Sequence, residues 1–188
     1  MIIRCMSFDP GAGAMGIAVI DYDTDTGKFK VVDTMTVEGK KLLKQYKELK
    51  ANFADSFCIQ HAYYHLIVDE LFPKYKPDLF VSEGAFHHKF VATLISLTLI
   101  IGVIRRASQA CLGIDIGIVA PMETKKHIAN KSMANKDEIK AAILSNPNII
   151  FEHILLPEEL TEHEFDAVGH GCAYIMKNLL WLLRIIRR

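Results

Sequence analysis

Apolar residues in the first forty positions come in short runs that are separated by polar turns. Ile2 to Phe8 is a nearly continuous apolar run ending at Asp9-Pro10-Gly11, and Met15 to Tyr22 and Phe29 to Val37 repeat the pattern. Runs of this length, bounded by Gly, Pro and Asp, are typical of β-strands. The short turns between them predict an antiparallel meander of three strands.

Helical spacing dominates the rest of the chain. Apolar residues three and four apart predict a long helix from Lys40 to Lys74 and an apolar helix from Lys89 to Ala110. Further helices are expected at residues 136–144 and 162–183, because Asn135 with Glu138 and Thr161 with Glu164 match capping boxes. Short apolar segments predict a fourth strand at residues 78–83 and a fifth at residues 115–120.

The predicted order of elements is β-β-β-α-β-α-β-α. It indicates an α/β fold of the RNase H-like type, with a five-stranded mixed sheet (three antiparallel strands plus two parallel) and helices on both faces. The chain of 188 residues contains no linker, repeat or low-complexity tract. We therefore expect a single RNase H-like domain over residues 1–188.

Composition limits the partners and the compartment. Lys plus Arg equals Asp plus Glu, 22 against 22, so a nucleic-acid site would require local segregation of charge. The four cysteines are dispersed and form no CxxC pair, which argues against a zinc ribbon or a disulfide framework. With no signal peptide at the start of the chain, we expect a cytoplasmic protein, or one in the DNA-containing compartment of its host.

The most apolar segment, residues 90–104, is shorter than the roughly 20 residues of a spanning helix. It also contains Thr93, Ser96 and Thr98. We expect a buried helix here and no contact with a membrane.

Two acidic residues stand at the ends of predicted neighbouring strands. Asp9 follows the first strand and Glu83 ends the fourth. Carboxylates at adjacent strand ends repel one another unless a cation lies between them, and hard oxygen ligands favour Mg²⁺ or Mn²⁺. Taken singly, Asp9 could instead cap an Asp-Pro-Gly turn and Glu83 could simply end a strand.

A third acid lies at the start of the last predicted helix. His163, Asp166 and His170 are three and four residues apart, so they share one helical face. Gly169 and Gly171 beside that face would let the helix approach the sheet closely. The alternative interpretation is that the acids of this segment only stabilise the helix N-terminus.

These motifs, in this order, resemble those of the RuvC family of Holliday-junction resolvases. The resemblance is carried by the segments SFDPGAGAMGIAVID, VSEGAF and HEFDAVGHGCAYI, and it spans nearly the whole chain. It implies that Asp9, Glu83, His163 and Asp166 are the catalytic residues and metal ligands. It also implies that each active site binds two Mg²⁺ ions, with Mn²⁺ as a substitute, and that Phe86 contacts DNA bases.

The implied activity is resolution of four-way DNA junctions by paired symmetric nicks, through two-metal-ion phosphodiester hydrolysis. The implied partners are branched DNA and a second copy of the chain, bound through the helix at about residues 89–110. Two departures from the family pattern leave the substrate range open: a longer segment before the fourth strand, which contains His61 and His65, and the Gly169-His170-Gly171 sequence.

Lysines after the fifth predicted strand are candidates for phosphate contacts. Lys125, Lys126 and Lys131 flank a polar loop and form the favoured DNA-facing set, whereas Lys136 and Lys140 fit an ordinary solvated helix face at least as well. Two other functions remain open at this point. The chain could be another RNase H-like nuclease that cuts RNA or an RNA/DNA hybrid, or a non-catalytic domain of this fold.

Overall fold

The computed structural model describes residues 1–51, 53–86, 90–154 and 156–186. Its centre is a mixed sheet with strand order β5-β4-β1-β2-β3-β6. The strands are β1 Ile2–Asp9, β2 Ala14–Asp23, β3 Lys28–Glu38, β4 Leu79–Glu83, β5 Gly117–Val119 and β6 Ile149–Phe151.

The predicted meander and the mixed sheet are confirmed. β2 is antiparallel to both β1 and β3, while β4 runs parallel to β1 and β5 runs parallel to β4. The prediction of five strands missed β6, which joins the edge of the sheet parallel to β3. β6 has only three residues, too few for an alternating pattern, and its position depends on pairing with a strand more than 100 residues away.

The helices lie on both faces of the sheet, as expected. They are α1 Gly39–Leu42, α2 Asp55–His65, α3 Phe72–Tyr75, α4 Val91–Leu112, α5 Pro121–Ala129, α6 Lys136–Ser145 and α7 Glu162–Ile186, with 3₁₀ segments at Leu43–Ala51 and Pro157–Glu159. Both predicted capping boxes are present, at Asn135 with Glu138 and at Thr161 with Glu164. The predicted start of the apolar helix at Lys89 lies outside the described residues.

The long helix predicted from Lys40 to Lys74 is instead several segments. Tyr46 has non-helical angles, φ −120° and ψ 47°, and breaks the first part. A π-helical turn, Leu66–Leu71, then precedes Pro73. Proline has no N–H for the usual bond to the residue four positions back, and the wider π turn lets the chain pass Pro73 with Phe72 N–H bonded to the Ile67 carbonyl.

The sheet separates two hydrophobic cores, and strand alternation assigns side chains to them. Ile3 and Cys5 of β1 belong to the core under α7, whereas Met6 and Phe8 belong to the core under α2 and α4. Asp9 lies on the same face of β1 as Ile3 and Cys5, because it is an even number of residues from both. Leu79 and Val81 of β4 also face α7, so Glu83 does too. Alternation therefore directs both strand-end acids toward the same helix.

Helix α4 is long and apolar enough to cross a membrane by length and composition alone. Its second half is a core element, because Ile100, Val103 and Ile104 are buried against the sheet. Its first half exposes a row of apolar residues, Val91, Ile95 and Leu99. All four cysteines of the chain are free thiols, and Cys5, Cys58 and Cys172 are buried.

Candidate active site

Three structural elements bring acidic residues to one edge of the sheet. β1 and β4 are parallel neighbours with Phe8 opposite Ser82, so Asp9 and Glu83 come next, side by side at the strand ends. Asp166 lies in the second turn of α7 and lines a cleft with Glu83 and His170. The predicted site residues Asp9, Glu83, His163 and Asp166 thus belong to one constellation, although they come from three segments that are far apart in sequence.

The first turn of α7 lies directly on the sheet because β2 has a glycine beneath it. Gly16 pairs with Asp9 across the β1–β2 ladder. A Cβ atom at Gly16 would lie 2.0 Å from the carbonyl oxygen of His163, which is far inside the sum of the van der Waals radii. The missing side chain therefore permits the approach that brings His163 to Asp9.

We expect Gly16→Ala to damage the site although it replaces none of the functional side chains. The added methyl group must push the start of α7 away from β2, at a cost of about 1–3 kcal/mol in unfolding free energy. Thermal denaturation and Mn²⁺ titration should show lower stability and weaker metal binding. Gly13→Ala is the matched control, since a Cβ atom there meets nothing within 4 Å. Equal behaviour of the two variants would contradict this account.

Asp9 is the centre of the hydrogen-bond network. The Nδ1 atom of His163 is 2.6 Å from Asp9 Oδ2, while the other carboxylate oxygen, Oδ1, lies 3.9 Å from Nε2 of His170. The Asp9 side chain is only 13% exposed. Each oxygen of this nearly buried carboxylate therefore faces its own imidazole ring.

The carboxylates are crowded and poorly solvated. Burial raises the pKa of Glu83 to about 7, and the charges of Asp9 and Asp166 act in the same direction. Burial and the Asp9 charge raise the pKa of Asp166 to about 6. Burial also raises the pKa of Asp9, although its hydrogen bond to His163 opposes the shift. Such repulsion among three acids is typical of a site that binds cations.

His170 lies inside the cluster, although the sequence indicates only that it shares a helix face with Asp166. Its Nε2 atom is 3.9 Å from Asp9 Oδ1 and 3.9 Å from Glu83 Oε1. Burial lowers the pKa of His170 to about 3, so the ring is neutral. Asp9, Glu83 and His170 each offer one ligand atom, and these atoms lie within 4.8 Å of one another. Two carboxylates and an imidazole suit a divalent cation such as Mn²⁺ or Mg²⁺.

Lys136 is a cation in contact with one of the acids, although a solvated helix face fits its place in the sequence at least as well as a DNA contact. Its Nζ atom is 3.7 Å from Asp166 Oδ2 and forms an ion pair with Glu162. Burial lowers the pKa of Lys136, but the hydrogen bond to Glu162 and the charges of Asp166 and Asp9 outweigh this effect and raise it. Only the tertiary fold could reveal this role, because α6 approaches α7 across the cleft.

The predicted DNA-contacting residues occupy different places. Lys125 lines the cleft beside Glu83. Lys126 is exposed on the same helix, and Lys131 forms an ion pair with Glu138. Phe86 follows β4, three residues after Glu83, with 44% of its surface exposed.

The Cys58, His61 and His65 cluster does not join the site. His65 Nδ1 is 2.5 Å from Asp69, and the His61 and His65 rings pack 4.3 Å apart beside Tyr46. Cys58, His61 and His65 are spaced as i, i+3 and i+7 of one helix, a spacing that could hold a soft metal, but these contacts favour ordinary packing.

Comparison with known proteins agrees with this geometry. No family model matches the chain. The crossover junction endodeoxyribonuclease RuvC of Fusobacterium nucleatum is 27% identical over 141 residues, which cover 75% of this chain and 66% of that protein. The RuvC of Paenarthrobacter aurescens is 25% identical over 139 residues, 74% of this chain and 66% of that protein. The chain thus spans just under two thirds of the length of these relatives.

A solved structure provides an independent comparison. T. thermophilus RuvC in complex with a Holliday junction substrate superposes with a TM-score of 0.71 and covers 96% of this chain and 97% of its own, at 12% identity. The resemblance to the RuvC family is confirmed. A RuvC-like, RNase H-like α/β fold therefore underlies the cluster of acids.

Proposed function

We propose that this protein is a divalent-cation-dependent DNA endonuclease that resolves four-way junctions by paired symmetric nicks. One observation carries the proposal: Asp9, Glu83 and Asp166 come from three separate elements to one edge of the sheet in a RuvC-like fold. Structural packing alone gives no reason to crowd three acids whose pKa values are all raised. A non-catalytic domain would be more stable with neutral residues at these positions.

The acids would hold Mg²⁺, with Mn²⁺ as a substitute and two ions per active site. A bound divalent cation would offset the charge of the scissile phosphate and increase the acidity of the attacking water. Asp9 and Glu83 would bind it from the strand ends, and Asp166 would bind from α7. Lys136, beside Asp166, would contribute a further positive charge to the phosphate-binding side of the cleft.

His163 would have two tasks, one for each ring nitrogen. Nδ1 is hydrogen-bonded to Asp9 and holds that carboxylate in place. The imidazole is 44% exposed, so Nε2 remains available as a metal ligand or as an acceptor for a proton of the attacking water.

The test is cleavage of a mobile four-way DNA junction in the presence of Mg²⁺, with both nicks mapped. We expect two nicks at symmetric positions, leaving a 5′ phosphate and a 3′ hydroxyl. An RNA/DNA hybrid and a structured RNA serve as competing substrates. Preferential cutting of either would contradict the proposal and favour another RNase H-like nuclease.

Lys125 and Lys126 are proposed to bind phosphates of the junction arms. Neutralising both with glutamine should weaken junction binding and make it less salt-dependent. The slope of log affinity against log salt should fall by about one for each phosphate that the variant no longer binds. Lys40→Gln with Lys44→Gln, in the segment after β3, is the control pair. An unchanged slope in the Lys125 and Lys126 variant would exclude these lysines from the DNA interface.

Phe86 is proposed to stack on a base near the crossover point. An exposed aromatic ring three residues from Glu83 is well placed to contact an unpaired base, because stacking needs only an accessible ring face.

We further propose that the chain folds as one domain and acts in a reducing, DNA-containing compartment, as its free thiols favour.

A homodimer through α4 would supply the two active sites that symmetric nicking requires. Val91, Ile95 and Leu99 lie on successive turns of one helical face, and their exposed fractions are 70%, 55% and 45%. We expect light scattering to give a dimer mass for the protein and a monomer mass for Ile95→Asp. The control is Ile150→Asp, since Ile150 is an exposed isoleucine on edge strand β6. A wild-type monomer would exclude this interface.

A further inference from the structure

His170 is a buried imidazole whose two ring nitrogens have different surroundings in the described part of the chain. The residue is 4% exposed and lies one helical turn after Asp166. Its Nδ1 atom is 3.0 Å from the Thr124 hydroxyl of α5. Its Nε2 atom has no hydrogen-bond partner among the described residues. A buried polar atom in this condition destabilises the fold, so a missing partner is the natural explanation.

The direction of Nε2 identifies the kind of partner. It faces Asp9 Oδ1 and Glu83 Oε1 at 3.9 Å each, too far for hydrogen bonds. The second oxygen of Asp9 is already bonded to His163. One nitrogen and two carboxylate oxygens, all within 4.8 Å of one another, therefore surround a single point. A divalent cation would interact favourably with all three atoms.

The contact with Thr124 fits this assignment. When the Thr124 hydroxyl accepts a hydrogen bond from Nδ1–H, the lone pair of the neutral ring is on Nε2, the nitrogen that faces the acids. A second partner of this kind normally fixes the ring of a metal-binding histidine. Glycines on both sides of His170 let α7 approach its neighbours: a Cβ atom at Gly171 would lie 2.9 Å from Ser7, and one at Gly169 would lie 3.2 Å from Thr124.

We infer that His170 is a ligand of the catalytic metal, through Nε2, together with Asp9 and Glu83, and that Thr124 orients its ring. This inference rests on the proposed metal-dependent function and adds a nitrogen donor to its carboxylates. His163 and His170 then have different positions, since each faces a different oxygen of Asp9. A nitrogen donor also shifts metal preference from Mg²⁺ toward Mn²⁺.

The decisive measurement is electron spin-echo envelope modulation of Mn²⁺ bound to the protein, which detects a directly coordinated histidine nitrogen. The spectrum is recorded for His163→Gln and for the double variant His163→Gln/His170→Gln. We expect the nitrogen modulation to persist in the single variant and to disappear in the double one. Loss already in His163→Gln overturns the inference, and so does persistence in the double variant.

The spin-echo experiment can overturn the inference without substitution of the buried His170. His163 is partly exposed at the start of α7, so its substitution should leave the fold intact, and the single variant alone can overturn the inference. Should the double variant not fold, Thr124→Val replaces it. We expect its Mn²⁺ affinity, measured by calorimetry, to fall about tenfold. Thr26→Val, at an exposed threonine in the turn between β2 and β3, is the control and should bind Mn²⁺ normally. Normal affinity in Thr124→Val would count against the assignment.

The two proposals fail in distinguishable ways. If the wild-type protein cleaves junctions with Mn²⁺ but loses nitrogen modulation in His163→Gln, only the assignment of His170 is wrong. If the wild-type protein binds no Mn²⁺ and cuts no junction, the proposed function fails with it.

Discussion

Asp9→Asn should reduce junction cleavage by about three orders of magnitude or more while leaving junction binding intact. Asparagine has the same shape and can still accept the hydrogen bond from His163, but it lacks the charge that holds a divalent cation. The substitution also relieves repulsion with Glu83 and Asp166, so no folding defect is expected. Cleavage rates with Mg²⁺ and gel shifts without divalent metal measure the two effects separately.

The control for this substitution is Asp25→Asn. Asp25 is an exposed carboxylate in the turn between β2 and β3, at the end of the sheet opposite the site, where it pairs with the N-terminal amine. Its substitution should change neither cleavage nor binding. If Asp9→Asn abolished junction binding together with cleavage, Asp9 would be a structural residue and the proposed metal centre would be wrong.

Glu83→Gln should have opposite effects on activity and on stability. Cleavage should fall as severely as in Asp9→Asn, because a ligand charge is lost. The metal-free protein should nevertheless become more stable at pH 8, by on the order of 2 kcal/mol. The physical reason is that glutamine removes a buried charge that burial and two neighbouring acids disfavour. Thermal denaturation in a metal chelator should show a midpoint several degrees higher.

The pH dependence of the stability follows from the raised pKa of Glu83. The pKa of Glu83 is raised from 4.5 to about 7 by folding, so between these values the native state binds more protons than the unfolded state. The stabilising effect of the protonated group is complete below about pH 4.5 and is lost as pH rises through 7. The metal-free wild-type protein should therefore lose stability from pH 5.5 to pH 8. The variant should lose less, because the slope due to Asp166 and Asp9 that remains is opposed by His170, whose lowered pKa favours the folded state as pH rises toward 6.5.

Divalent metal should reverse the order of stability of the wild-type protein and Glu83→Gln. Added Mn²⁺ should raise the denaturation midpoint of the wild-type protein at pH 8, because a ligand that binds only the native state stabilises that state. It should have little effect on the midpoint of Glu83→Gln. Glu70→Gln, at an exposed acid, is the matched control and should behave as wild type. A metal-free Glu83→Gln protein less stable than wild type at pH 8 would show that the Glu83 charge stabilises the fold.

Elements that are encoded by a local sequence pattern could be predicted from the sequence, and the others could not. The meander, α6 and α7 could be predicted, because alternation, helical spacing and capping boxes act over a few residues. The break at Tyr46, the π turn before Pro73 and strand β6 could not. Each of these depends on packing or pairing with residues distant in sequence, which no local pattern encodes.

The same distinction applies to the site. Strand and helix periodicity were sufficient to establish that Asp9 and Glu83 end strands and that His163, Asp166 and His170 share a helical face. The folded chain was needed to show that this face of α7 meets those strand ends, through the close approach at Gly16. It was also needed to place Lys136 beside Asp166 and Thr124 beside His170, because contacts between separate helices depend on how the whole chain packs.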